Sequence, residues 1–166
     1  MKSWRWYVLA MGAVLVLLGL AYIWYADLRY ENAPAARFLM LDGTKPRLSD
    51  LRGSPVLVAF WATKCEECLR EMPELVRMYN DFATRGLHII GIAMPYEPPD
   101  LVYQFQTVHK LPYSLSLDID ARLASAFGDV RLTPTTFLVS PQGKIVYKKV
   151  GPFDVEWLRE RIAGML

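Results

Sequence analysis

Residues 56–75 read VLVAFWATKCEECLREMPEL and join two hydrophobic patterns in one stretch. Val56 to Trp61 is apolar at every position, as expected of a strand buried on both faces in the middle of a helix-covered sheet. From Cys65 to about Arg85 the apolar residues Leu69, Met72, Leu75, Val76, Tyr79 and Phe82 recur at intervals of three and four. That spacing makes one helical face, and Gly86 supplies the stop. The strand passes into the helix through Ala62-Thr-Lys64. At the junction stand Cys65 and Cys68, the only cysteines in the chain, with Glu66 and Glu67 between them.

Downstream, Leu87 to Ala93 is another strand without alternation. A proline-rich loop follows, then a helical stretch through about His109, a short strand around Ser114 to Leu117 and a short helix over Ala121 to Phe127. Thr135 to Ser140 and Lys144 to Val150 flank Pro141-Gln-Gly143 as a hairpin, and Val155 to Met165 closes the chain as an amphipathic helix. Upstream, Phe38 to Leu41 and Lys45 to Leu48 flank Asp42-Gly43, a hairpin signal of the type I′ kind. Strands alternating with helices predict an α/β fold: a largely parallel sheet covered on both faces, with antiparallel strands added by the terminal hairpin.

The N-terminal part differs in kind. Residues 8–26, VLAMGAVLVLLGLAYIWYA, carry no charge and are long enough to span about 30 Å of hydrocarbon as a helix. Trp4, Trp6 and Tyr7 mark one edge and Tyr22, Trp24, Tyr25 and Tyr30 the other. Lys2 and Arg5 precede the span while Asp27, Arg29 and Glu31 follow it, so the positive-inside bias places the N-terminus in the cytoplasm. A cleaved secretory signal fits less well. The run exceeds a usual signal core, and the best small-residue site, Ala26, has Trp24 two residues before it. Either reading exports the remainder to an oxidising compartment where a disulfide persists. The expected organisation is an anchor over 1–30, a linker over 31–36 and one domain over 37–166. With 53% hydrophobic residues, a net charge of +2 and no basic run interleaved with aromatics, the composition excludes nucleic-acid binding.

The CxxC spacing puts both sulfurs on one helix face, where a bridge forms with little backbone change. Cys65, at the first turn, meets unpaired N–H groups and the positive helix end, which favour a thiolate and make it the candidate nucleophile. Cys68, a turn deeper, suits the resolving role. A purely stapling bridge explains the pair less well, because the entropic benefit grows with the loop closed and this loop is minimal. One cysteine pair and two distant histidines do not supply a zinc site. A copper-binding assembly module is the alternative from another class, since thiolates select Cu(I), but no third ligand stands at a telling spacing.

Val58 to Leu75 resembles the active-site segment of the TlpA/ResA/DsbE-type thioredoxin-like proteins, bacterial membrane-anchored thiol-disulfide oxidoreductases. Leu41 to Gly53 is similar to the family's lead-in hairpin, and Thr133 to Lys144 to its proline loop and following hairpin. The resemblance implies a thioredoxin-like domain with a central mixed sheet, tethered to the cytoplasmic membrane on its periplasmic side. It implies a cis peptide at Pro134 facing Cys65, with Thr133 and Trp61 on the client-binding side, and a structural kink at Pro73. It implies no cofactor beyond the Cys65–Cys68 disulfide, and no metal. It implies reduction of client protein disulfides, those of apocytochrome c in cytochrome c maturation foremost. A copper-chaperone or oxidase-assembly disulfide is the second kind of client. A membrane thiol transporter of the CcdA/DsbD kind would be the electron donor. Glu97 matches an acidic residue that family members place under the cysteines, where it would shuttle the proton of Cys68.

Two departures from the family pattern bear on redox tuning. Lys64 stands where many members have Trp, and it favours the Cys65 thiolate. Glu66 and Glu67 oppose it, each by ~0.3 to 1 kcal/mol at an exposed helix end. Relative to a neutral pair they disfavour the reduced form and make a better reductant. A thiol peroxidase, which shares the fold, requires threonine three residues before its reactive cysteine, and Ala62 stands there.

Overall fold

The structure, a computed structural model, describes residues 6–7, 11–21 and 29–166. The chain divides into two compact units, Met1–Glu31 and Asn32–Leu166. The apolar run over 8–26 lies partly outside the described residues. Within it, residues 11–21 are helical and exposed throughout. No helix among the described residues is long and apolar enough to cross a membrane.

Residues 31–166 form a seven-stranded sheet with its covering helices. Its strands are β1 (Glu31–Asn32), β2 (Leu39–Met40), β3 (Val56–Trp61), β4 (His88–Ala93), β5 (Ser114–Leu117), β6 (Thr135–Val139) and β7 (Lys144–Val150), in the order β1-β7-β6-β3-β4-β5-β2. Helices α1 (Glu66–Phe82), α2 (Pro99–His109), α3 (Arg122–Ala126) and α4 (Val155–Ala163) complete the domain. β3, β4 and β5 run parallel, whereas β6 joins β3, β7 joins β6 and β2 joins β5 antiparallel. The sheet is therefore mixed, and its parallel part is confined to three neighbours.

β3 is buried at all six positions, which is why its sequence lacks alternation. Leu57, Ala59 and Trp61 pack with Met72, Leu75 and Met78 of α1, Val102 of α2 and Leu158 and Ile162 of α4. Val56, Val58 and Phe60 pack on the other face with Leu123, Phe127 and Phe137. There Phe60, Phe127 and Phe137 meet with ring centroids 5.0 to 6.0 Å apart, a geometry worth ~0.5 to 1.5 kcal/mol per pair beyond area burial.

α1 follows its N-cap Cys65 and runs through Pro73. A 3₁₀ turn over Ala83–Arg85 extends it, and Gly86 ends it at φ 112°, a left-handed conformation that glycine adopts without strain. The expected Asp42-Gly43 hairpin forms differently. Gly43 has φ 82°, and its N–H bonds to the Met40 carbonyl, but Asp42 is not in the left-handed region, so the turn is not type I′. The two arms are joined by Met40 N–H to the Thr44 carbonyl, Phe38 N–H to the Pro46 carbonyl and a bridge between Arg37 and Arg47, the second arm turns into a 3₁₀ helix at Leu48–Leu51, and β2 also pairs with β5. The linker read from sequence over 31–36 is fastened to the domain from Ala33 onward. The Ala33 N–H bonds to the Gly143 carbonyl, the Ala36 carbonyl accepts from Leu48 N–H, and Ala36 is buried.

Candidate active site

Three chain segments converge at the carboxyl ends of β3 and β4. Beyond Trp61, the Cys65 N–H closes a turn on the Ala62 carbonyl at 3.1 Å, and Cys65 becomes the N-cap of α1 in extended conformation. Its Sγ accepts the Cys68 N–H at 3.2 Å, so the sulfur itself caps a helix N–H. The pair is oxidised, with Sγ atoms 2.11 Å apart. Cys65 is half-buried, whereas Cys68 is 3% exposed beneath the first turn. Only one sulfur is open to attack from outside.

A cavity of about 490 Å³ opens beside Cys65, and Lys64, Tyr96, Glu97, Leu101 and Thr133 line it. Thr133 reaches it because β6 runs antiparallel to β3 in a register that pairs Thr135 with Phe60, bringing the start of β6 to the end of β3. The Thr133–Pro134 peptide is cis. The Pro134 carbonyl accepts from Gly151 N–H, while the backbone groups of Thr133 have no hydrogen-bond partner among the described residues. Tyr96, about two-thirds exposed, and Leu101 give the cavity apolar surface.

Glu97 sits on the loop after β4, half-buried, and accepts the Thr63 hydroxyl at 2.7 Å, which ties the loops after β3 and β4 together. It lines the same cavity as Cys65. Trp61, expected on the client side, is instead 4% exposed. Strand alternation turns it, with Leu57 and Ala59, towards the helix-covered face, where it packs on Phe105 at 4.8 Å. Lys64 and Glu66 are exposed, and Glu67 pairs with Arg70 one turn on.

Glu71 is a residue the sequence reading missed. It follows Cys68 by three positions, so it shares that cysteine's side of α1. Its carboxylate accepts the Phe153 N–H at 2.6 Å, a contact between residues 82 positions apart. Burial pushes it up to about 7, against the stabilising Phe153 hydrogen bond, and the charge of Glu67 adds to the rise. The i+3 spacing after Cys68 was the available signal. The burial that makes it matter comes from the segment before α4.

A helix-start dithiol with one open and one sheltered sulfur, on a mixed sheet beside a cis-proline loop, defines a thioredoxin-fold protein-disulfide oxidoreductase. Comparisons agree. The AhpC/TSA family matches residues 31–148. The thiol-disulfide oxidoreductase ResA of Bacillus subtilis is 33% identical over 155 residues, 88% of this chain and 86% of that protein. A thioredoxin-family thiol:disulfide interchange protein from Chlorobium tepidum superposes with a TM-score of 0.73 at 25% identity, covering 82% of this chain and 96% of that one. The thioredoxin domain of a thiol-disulfide oxidoreductase from Bacteroides vulgatus gives 0.68 at 29% identity, covering 79% and 94%. The chain belongs to the AhpC/TSA family and, within it, to the ResA-like thiol-disulfide oxidoreductases.

Proposed function

We propose that this protein is a membrane-anchored, extracytoplasmic reductant of protein disulfides, with apocytochrome c as its client class. The observation that carries the reading is the asymmetry of the pair: half-buried Cys65 at the mouth of a cavity, and Cys68 sheltered behind it. In the reduced protein the Cys65 thiolate attacks one sulfur of a client disulfide. A mixed disulfide forms and the other client sulfur leaves as a thiolate, which takes up a proton. Cys68, once deprotonated, attacks Cys65 Sγ, frees the second client thiolate and restores the Cys65–Cys68 disulfide. Two electrons pass to the client.

The proton of Cys68 needs an acceptor, and Glu71, on the same side of α1 and pushed up to about 7 by burial, is proposed to take it. Glu97 is proposed to act at the cavity, on the client or on Cys65. The free backbone of Thr133 suits pairing with an extended client segment. The anchor rests on the uncharged run over 8–26, whose described part is helical and fully exposed. An oxidising compartment requires electrons from across the membrane, and a thiol transporter of the CcdA/DsbD kind is the proposed donor.

The test is trapping with Cys68→Ser in cells. The expected result is an accumulating mixed disulfide through Cys65 whose partner is a haem-free cytochrome c. Partners linked only when Cys65 is absent would contradict the assigned roles, and a trapped partner of another kind would replace the client class.

A further inference from the structure

A second cavity, of about 420 Å³, opens at the opposite pole of the sheet, where Val56 begins β3 and pairs with Val139 at the end of β6. β3 rises about 17 Å from there to the cysteine end, so the two sites are separate. Arg37, Arg47 and Arg52 line this cavity together with Ser54 and Ser140, and no carboxylate among the described residues does.

The cavity is held by backbone from three parts of the chain. Ala33 N–H bonds to the Gly143 carbonyl, Leu48 N–H to the Ala36 carbonyl and Gly53 N–H to the Pro141 carbonyl, each at 2.9 Å. The antiparallel bridge between Arg37 and Arg47 places two cations directly opposite each other, a destabilising arrangement when nothing lies between them. Arg52 adds a third. Its Nε stands 3.2 Å from where a Cβ on Gly143 would be, so the lack of a side chain at 143 leaves room for the guanidinium.

Four other arginines of the domain pair with carboxylates, Arg70 with Glu67, Arg77 with Glu74, Arg122 with Asp120 and Arg159 with Asp81. Arg37, Arg47 and Arg52 have no such partner among the described residues. The adjacent Asp50 is engaged locally, accepting the Arg47 N–H at 2.9 Å and the Ser49 hydroxyl at 3.4 Å.

We propose that this cavity binds a phosphate-type anion. Guanidinium forks match phosphate oxygens bidentately, two serine hydroxyls add donors, and a bound anion offsets the repulsion among the three cations. The phosphate comes either from a soluble phosphate ester or from a phospholipid headgroup.

The test uses the full oxidised chain in neutral detergent micelles. Inorganic phosphate is titrated in one arm and short-chain phosphatidylglycerol in the other, each against sodium chloride of matched ionic strength. Binding is read from arginine Nε–H resonances and from the unfolding midpoint.

Saturable binding in either arm supports the site, and the arm that responds identifies the source. Arg37→Gln with Arg52→Gln is expected to weaken binding roughly tenfold or more, while Arg70→Gln leaves it unchanged. Disulfide exchange at wild-type rate shows that the double variant is folded, and Arg37→Lys with Arg52→Lys, which keeps the charge, serves if it is not. Absence of saturation in both arms, an equal response to sodium chloride, or unaltered binding in the double Gln variant overturns the proposal.

Discussion

At the scale of single residues, the glutamates between the cysteines are not equivalent. Glu67 is paired with Arg70, so part of its field on the dithiol is offset, whereas Glu66 is exposed and has no ion-pair partner among the described residues. Both oppose the thiolate that the helix terminus favours. Replacing both by Gln is expected to raise the midpoint potential, with Glu66→Gln supplying the larger part; a shift of ~1.4 kcal/mol corresponds to about 30 mV. Equilibration with glutathione redox buffers measures it, and an unchanged or lower potential sinks this account. Glu71 makes a second prediction. Its folded value of about 7 lies above the ordinary 4.5, so the folded state holds a proton that the unfolded chain releases. Stability is therefore lost as pH rises from about 4.5 through 7. Glu71→Gln keeps an acceptor for Phe153 N–H and removes the titration. The variant is expected to gain about 1 kcal/mol at pH 8 after allowing for solvent screening, and to match wild type below pH 4.5. Urea unfolding at both pH values checks this, and parallel stability curves would remove Glu71 from the pH response.

At the scale of elements, most of the α/β frame was legible. β3 has the bounds its apolar run predicts, β5 falls at Ser114–Leu117 as expected, and the hairpin of β6 and β7 turns at Pro141-Gln-Gly143 as its composition demands. These depend on local periodicity and turn chemistry. The short α3 depends on something else. Asp118, 3% exposed, accepts the N–H groups of Leu123 and Ala124, both at 2.8 Å, and so satisfies two donors of a helix too short to form alone. Asp118→Ala leaves two buried N–H groups without partners and is expected to cost about 2 to 4 kcal/mol in urea unfolding with an unchanged m-value, Asp118→Asn less. A loss below 1 kcal/mol in the alanine variant would show that α3 is held by Leu123 and its packing alone. The lead-in segment was legible only in part, for a related reason. Asp42-Gly43 signals a tight turn, but the strand that β2 joins is β5, some 75 residues on, and no local pattern names that partner.

At the scale of the whole molecule, the compact unit starts at Asn32 rather than at Arg37, because Ala33 and Ala36 are bonded into it. A chain beginning at residue 32 is expected to unfold cooperatively and to exchange disulfides at the full-length rate, whereas one beginning at 37 loses about 1 to 3 kcal/mol. Equal denaturation midpoints for the two would reduce residues 32–36 to a tether. The amino-acid sequence alone determined the dithiol, its helix-start spacing and its place at the end of a central strand, since helical phase and helix-end electrostatics are properties of neighbouring residues. The cis peptide at Pro134 was legible only through resemblance to a family. Tertiary structure alone decided that Trp61 is buried, that Glu71 enters a low-dielectric site, and that Arg37, Arg47 and Arg52 share one cavity. Each of these depends on groups brought together from distant parts of the chain, and periodicity carries no record of which distant residue supplies the burial or the charge.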